Sequence, residues 1–104
     1  MRRAFIMKLK PGALPEYARH HGAVWPELEA EMVAAGIREF TIYEDDPILV
    51  VASDVADDEA WAKLWSSDVH RRWGELMDPL MAFGEDGPES TAMREVYHFG
   101  GGAS

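Results

Sequence analysis

Residues 37–55 read Ile-Arg-Glu-Phe-Thr-Ile-Tyr-Glu-Asp-Asp-Pro-Ile-Leu-Val-Val-Ala-Ser-Asp-Val, and this stretch decides the fold. Residues alternate between two faces over 37–44, and 48–55 is the most β-branched run in the chain, so both segments are predicted to be strands. The Asp45-Asp46-Pro47 segment between them is typical of a turn. Because this turn is short, the two strands are expected to form an antiparallel hairpin.

A helical pattern precedes this hairpin. Apolar residues recur at steps of three and four from Ala13 onward. Pro26 interrupts the pattern, because proline lacks a backbone donor and disfavours helix at the residue before it. The sequence therefore predicts a short helix that ends near His21. A second helix is predicted to start at Pro26 and to be closed by Gly36.

Two further helices are predicted after the hairpin. One is capped by Asp57 or Asp58 and the other by Asp68, since aspartate accepts a backbone hydrogen bond at a helix start. Outside the helices, alternating residues predict a first strand over 3–10 and a last strand over 93–99.

The predicted order is strand, helix, strand, strand, helix, strand, which is the α+β ferredoxin-like βαββαβ arrangement. It has one four-stranded antiparallel sheet with helices on one face. The 104 residues are expected to form a single domain over 1–104, with a polar loop at 84–91 and a flexible tail at 100–104. The open face of the sheet also carries apolar residues such as Ile48 and Val50, so we expect two sheets to pack face to face in a homodimer.

Composition narrows the classes of partner and location. The formal net charge of −9 argues against binding to nucleic acid or to an anionic membrane. The chain has no cysteine, which excludes disulfides and cysteine metal sites. No apolar run is long enough to span a membrane, and the N-terminus does not resemble a signal peptide, so a cytoplasmic protein is expected.

The stretch Tyr-Ala-Arg-His-His-Gly-Ala-Val-Trp, residues 17–25, places two histidines on a helical pattern. Tyr17, His21 and Trp25 are spaced four apart and share one face if the helix continues. An apolar face does not need a histidine, so His21 is either a buried, hydrogen-bonded ring or a catalytic group. Its place at the helix end is expected to favour the protonated imidazole.

The other histidines are weaker candidates. His20 is expected to face solvent or to support His21, and His70 is expected at the surface, while His98 on the last strand is a candidate to face a cavity. Only the adjacent pair His20 and His21 has spacing that resembles metal ligands, so no metal site is predicted.

Four blocks of sequence match a known family over nearly the whole chain. They are Arg3-Ala4-Phe5-Ile6-Met7, then Glu16–His21 followed by Trp25–Glu29, then Ser67–Trp73, and finally Arg94–Tyr97. With these blocks the chain resembles the L-rhamnose mutarotase family. The combination Tyr-x-x-x-His followed by Trp-Pro-Glu-Leu is the most specific part of the match.

The resemblance implies a dimeric ferredoxin-like fold and an enzyme that interconverts the α and β anomers of a pyranose without a cofactor. It implies that His21 is the catalytic proton donor and that Tyr17 binds the sugar. A second sugar-binding tyrosine of the family falls at Phe40, and a pair of adjacent tryptophans falls at Trp73 and Gly74. Phe40 lacks the hydroxyl and Gly74 lacks the aromatic side chain. These two departures from the family pattern bear on which sugar is bound more than on which reaction is catalysed.

Mutarotation opens the hemiacetal ring and closes it on the other face. The anomeric hydroxyl loses a proton and the ring oxygen gains one, so an acid and a base assist, and no metal is required. Histidine suits this role because its ordinary pKa lies near neutrality. The base is open at this point, with Asp68, Glu95 or a water molecule as candidates.

Three functions are therefore compared. The first is a mutarotase that acts on L-rhamnose or on a related 6-deoxyhexose such as L-fucose. The second is a cofactor-free monooxygenase of the antibiotic-biosynthesis type, which has the same fold but does not require the pair of Tyr17 and His21. The third is a non-catalytic sugar-binding module.

Overall fold

The computed structural model describes residues 1–84 and 87–101, and its centre is a four-stranded sheet. In chain order the elements are β1 (Arg2–Lys8), α1 (Leu14–His21), α2 (Pro26–Ala35), β2 (Ile37–Asp45), β3 (Ile48–Val55), α3 (Asp58–Trp65), α4 (Asp68–Met77), a 3-10 turn (Asp78–Leu80), β4 (Phe83–Gly84), β5 (Gly87–Pro88) and β6 (Ser90–Met93).

The strands lie in the order β2-β3-β1-β6, and each neighbouring pair is antiparallel. This confirms the predicted ferredoxin-like arrangement. The predicted hairpin is also confirmed, with β2 and β3 joined through Asp46-Pro47.

One face of the sheet is covered by the helices. In β3, Leu49 and Val55 are fully buried and pack in one core with side chains of the helices, such as Leu28 and Leu64. Burial of such side chains is the main favourable term in folding, roughly 1.5–3 kcal/mol for each. Val50, which points to the other face of the sheet, is only half-buried.

The helix ends follow from local chemistry. Pro26 occupies the first position of α2, and Gly36 closes that helix with φ +100°, a left-handed conformation that favours glycine. Asp57 caps α3 by accepting a hydrogen bond from the backbone N–H of Ala60 at 2.8 Å. These boundaries agree with the sequence prediction.

The predicted cap of α4 is wrong by one residue. Ser67 is the capping residue, since its Oγ accepts a hydrogen bond from the backbone N–H of His70. Asp68 is instead the first residue of the helix and forms ion pairs with Arg71 and Arg72. Because the two arginines bind the Asp68 carboxylate, that carboxylate is not free to cap the helix.

The last strand differs most from its prediction. The strand β6 covers Ser90–Met93, so of the predicted residues 93–99 only Met93 pairs with β1, and residues 94–100 form no strand although 93–99 alternate. β1 begins at Arg2, so the chain beyond residue 95 has no neighbouring strand to pair with. The first strand is likewise shorter than the predicted 3–10, because β1 ends at Lys8.

The predicted loop over 84–91 is partly a small hairpin, in which Phe83 lies opposite Pro88 and Gly84 lies opposite Gly87. Residues 85 and 86 of that loop, and residues 102–104 of the predicted tail, lie outside the described residues. None of the described helices is long and apolar enough to cross a membrane.

Candidate active site

A cavity lies between the sheet and helices α1, α2, α3 and α4. It consists of two adjoining chambers of about 330 Å³ and 120 Å³, here together called the site cavity. The larger chamber falls in the range of roughly 300–1,000 Å³ that is typical of small-molecule sites. The residues that border both chambers are His21, Phe40, Ile42, His70 and Trp73.

The five site residues singled out from the sequence all border this cavity. His21, Phe40 and Trp73 border both chambers, and Tyr17 and Gly74 border the smaller one. They come from α1, β2 and α4, so the fold brings together positions that are far apart in the chain.

His21 is the last residue of α1, and a hydrogen bond fixes its ring. Its Nδ1 lies 2.9 Å from the backbone oxygen of Tyr17. A carbonyl oxygen can only accept, so Nδ1 carries a proton and donates it to that oxygen. Nε2 is therefore the ring nitrogen that is left to exchange a proton with a substrate. The ring also stacks on that of Tyr17, with centroids 4.2 Å apart.

The charge state of His21 differs from the expectation. Burial lowers its pKa below the ordinary 6.5 and outweighs the Tyr17 carbonyl, which raises it, while nearby His20 lowers it further. The prediction that the helix end favours the protonated ring is wrong in its net direction, because the cost of desolvation is larger. The neutral ring, with a free electron pair on Nε2, therefore predominates at neutral pH.

Tyr17 supplies a permanent donor next to this ring. Its side chain is buried, and burial raises the pKa of its phenol to about 12. The hydroxyl therefore keeps its proton at any physiological pH. Such a group can donate a hydrogen bond to a sugar hydroxyl without changing charge.

Aromatic side chains form the other walls of the cavity. Trp73 is buried and meets the ring of His21 edge-on, with centroids 5.4 Å apart. Phe40 stacks on Trp61 at a centroid distance of 6.3 Å. At Gly74 a Cβ would meet no atom within 4 Å, so the missing side chain leaves open space in this wall.

His70 is the residue that the sequence prediction placed wrongly. It was expected at the surface, but it is half-buried and borders both chambers. The centroid of its ring lies 4.3 Å from that of the Trp65 ring. Burial lowers the pKa of its imidazole. The sequence does contain a signal, since His70, Trp73, Gly74 and Met77 follow the spacing of a single helical face.

The other candidates for a proton-transfer role lie elsewhere. Asp68 is exposed and its carboxylate is 2.9 Å from Arg71, which holds the pKa of that carboxyl below its usual value. Glu95 is paired with Arg2 at 2.8 Å, away from the site cavity. His98, which was a candidate to face a cavity, is exposed near Glu95. These three suggestions from the sequence are therefore wrong.

A metal ion would need several ligands in one place. Over residues 1–84 and 87–101, no three histidine, aspartate or glutamate side chains come together as a metal site requires.

Comparisons with known proteins agree on one family. A family model of L-rhamnose mutarotase matches residues 2–99. An L-rhamnose mutarotase of Shigella flexneri serotype 5b is 35% identical over 101 residues, which cover 94% of this chain and 97% of that protein. The crystal structure of an L-rhamnose mutarotase from Formosa agariphila superposes with a TM-score of 0.82 at 28% identity, covering 95% of this chain and 98% of that one.

The crystal structure of an antibiotic biosynthesis monooxygenase also has this fold. It superposes with a TM-score of 0.62 at 14% identity, and the superposition covers 93% of this chain and 100% of that one. At so low an identity the likeness is one of fold alone.

Proposed function

Because this chain belongs to the L-rhamnose mutarotase family, we propose that it interconverts the α and β anomers of L-rhamnose or of a related 6-deoxyhexose without a cofactor. It is then an isomerase that acts on a carbohydrate. The monooxygenase alternative is not favoured, since only the fold is common to both. The binding-module alternative is not favoured either, because the relatives are named as mutarotases.

The observation that carries this proposal is the fixed ring of His21. Its Nδ1 is bound to the Tyr17 carbonyl, which leaves Nε2 as the exchanging nitrogen at a cavity of suitable size. In the ring-opening step the bond between the anomeric carbon and the ring oxygen breaks, and its electron pair moves to the ring oxygen. That oxygen takes a proton from Nε2 of the His21 imidazolium. The anomeric hydroxyl gives its own proton to a base, and the electron pair of that O–H bond forms the carbonyl. The open aldehyde then turns about its first carbon–carbon bond and closes on the other face.

The lowered pKa of His21 has two consequences for this step. A smaller fraction of the rings is protonated at neutral pH, but each imidazolium gives up its proton more readily. The neutral ring recovers the same proton from the hydroxyl when the sugar closes, so the enzyme ends as it began.

The walls of the cavity support a 6-deoxyhexose as the substrate. The larger chamber is lined by the apolar side chains of Val24, Leu28 and Met32, which suit the methyl group that replaces a hydroxymethyl in such sugars. Trp73 can stack on an apolar face of the sugar, and the Tyr17 hydroxyl can bind one of its hydroxyls. Hydrogen bonds of this kind contribute about 1 kcal/mol each.

Two positions bear on which sugar is preferred. Phe40 offers a ring but no hydroxyl, and the open space at Gly74 leaves the smaller chamber wider than an aromatic side chain would. We therefore propose that the chain tolerates a bulkier group on that side of the sugar. A panel of 6-deoxyhexoses and hexoses in one exchange assay ranks these sugars directly.

The central experiment follows the exchange between anomers by saturation-transfer NMR, with and without protein. We expect wild-type protein to accelerate exchange of L-rhamnose, and His21→Ala to reduce kcat by about 10²–10⁴-fold, as the loss of one acid–base group does. His98→Gln is the matched control, because that histidine is exposed and does not border the cavity. Equal exchange rates with and without wild-type protein would contradict the mutarotase proposal.

We also propose that two copies pair through the open face of the sheet. A groove on this face is lined partly by apolar and aromatic side chains, among them Tyr43, which is 62% exposed, and Met93, which is 44% exposed. Charged residues such as Arg2 and Glu95 also line it. Exposed apolar surface of this kind marks an association site. Sedimentation should show a dimer at micromolar concentration and a monomer for Val50→Asp. A monomeric wild-type protein would overturn the proposed dimer.

The cytoplasmic location remains a prediction from the sequence.

A further inference from the structure

We infer that His70 is the base of this site, and that it accepts the proton of the anomeric hydroxyl while His21 serves the ring oxygen. The inference rests on the mutarotase activity proposed above and adds the partner group that the reaction needs.

The first argument is the position of His70 among the cavity residues. Of the five side chains that border both chambers, only His21 and His70 can exchange a proton. Among the residues that the structure describes, two carboxylates also border the cavity, but Glu29 reaches only the larger chamber and Asp78 only the smaller, and both residues are exposed. A sugar that contacts His21 across the shared space of the chambers therefore has His70 as its second proton-transfer group.

The second argument is that the two rings reach this space from different elements. His21 ends α1 and stacks on Tyr17, whereas His70 lies in the first turn of α4 and packs against Trp65. Each ring is thus held by its own aromatic neighbour. The opening reaction needs such an arrangement, because one group must act at the anomeric hydroxyl and the other at the ring oxygen.

The third argument is the electrostatic setting of His70. The first turn of a helix carries the positive end of its dipole, which disfavours a positive charge on a side chain there. Its backbone N–H bonds to Ser67, and burial lowers the pKa of the ring. The ring is therefore neutral at neutral pH, which is the state that a base requires. Burial lowers the pKa of His21 as well, but there the hydrogen bond to the Tyr17 carbonyl opposes the shift, whereas at His70 the shift comes from burial.

The proton count closes over one turnover. On opening, a nitrogen of neutral His70 takes the anomeric O–H proton, and the electron pair of that bond forms the carbonyl. The endocyclic carbon–oxygen bond breaks, and the ring oxygen takes a proton from the His21 imidazolium. On closure His21 takes this proton back and His70 returns its own to the new anomeric oxygen.

This division of roles predicts a bell-shaped pH profile for kcat/KM. Over residues 1–84 and 87–101, the other titratable groups that border the cavity are Tyr17 on α1, Glu29 on α2 and Asp78 after α4. Because burial lowers the pKa of both rings, the maximum of this profile should lie on the acidic side of neutrality. Activity should fall below the maximum as His70 becomes protonated, and above it as His21 loses its proton.

The test compares His70→Phe, which keeps a planar ring against Trp65 but no nitrogen, with His70→Asn and with the control His98→Gln. We expect both His70 variants to lose about 10²–10⁴-fold in kcat. We also expect them to bind the sugar with little change and to lose the acidic limb of the pH profile. A merely structural role predicts that His70→Phe keeps the wild-type rate, and that result would overturn the inference. Should His70→Phe fail to fold, His70→Asn decides by the same criteria.

Further variants separate this inference from others. If Asp78→Asn or Glu29→Gln removes the acidic limb while the His70 variants keep it, the base is that carboxylate and not His70. If wild-type protein accelerates anomer exchange and the His70 variants do so equally, only the role of His70 is wrong. If wild-type protein itself does not accelerate exchange, the proposed mutarotase activity is wrong.

Discussion

The end of α1 and the first turn of α4 each bring one histidine to the same cavity, but the two histidines have different electrostatic surroundings. Both rings are half-buried, and burial lowers the pKa of both. His21, however, lies at the negative end of its helix, where the Tyr17 carbonyl accepts its Nδ1 proton. His70 lies at the positive end of its helix. One type of side chain can thus serve as an acid at one helix end and as a base at another.

The largest effect that tests this comparison is in the double variant His21→Ala/His70→Phe. If both rings act in the same step, removing the second after the first should cost little more, because groups that act as a unit are strongly non-additive. We expect kcat of the double variant within about tenfold of the slower single variant. Saturation-transfer exchange at saturating sugar measures this. Losses that multiply fully would show that the two rings act in separate steps.

A smaller effect is expected on the α1 side from Tyr17→Phe. This change removes one hydroxyl but keeps the ring that stacks on His21. We expect transition-state stabilisation to fall by about 1 kcal/mol, so that kcat/KM drops about fivefold, mostly through KM. Kinetics over a range of sugar concentrations separates the two parameters. A loss as large as that of His21→Ala would mean that the phenol itself moves a proton.

The smallest expected effect concerns stability. Both rings prefer to be neutral in the folded chain, whereas the unfolded chain binds protons with the ordinary pKa near 6.5. The stability that comes from the two neutral rings should therefore be complete above about pH 6.5. It should decrease as the pH falls from there through the lowered pKa values of the folded chain. Water screens half-buried groups, so the change should be modest.

Urea unfolding at about pH 7.5 and about pH 5.5 measures this change. His21→Ala and His70→Phe should each reduce the difference between the two conditions, and His98→Gln is the control at an exposed histidine. An equal difference in all four proteins would mean that neither buried ring contributes. Asp54 and Asp68, whose lowered pKa values also favour the folded chain, act only below about pH 4 and do not interfere.

Local patterns predicted most of the elements. The alternation and the short turn in residues 37–55 gave the hairpin, and Pro26 and Gly36 marked the ends of α2, because proline and glycine act on their own backbone. The last strand was wrong over residues 94–99, although the alternation is present. A strand needs a partner, and β1 supplies one only as far as its first residue, Arg2.

The residues of the candidate site also divide into those that the sequence identified and those that it did not. His21 and Tyr17 could be singled out from their spacing on one helix and from the resemblance to a family. His70 could not, because its spacing to Trp73 and Gly74 shows a common helical face but not which way that face points. Its neighbours in the cavity, such as Phe40 of β2, lie far away in the chain.

The sequence by itself determined the periodicities, most of the helix ends and the common helical face of Tyr17 and His21, because these depend on residues within a few positions of each other. Only the tertiary structure decided which face of the sheet is covered, where His70 lies and how far burial lowers the pKa values of the two rings. These properties arise from desolvation and packing between distant segments, and no local pattern contains them.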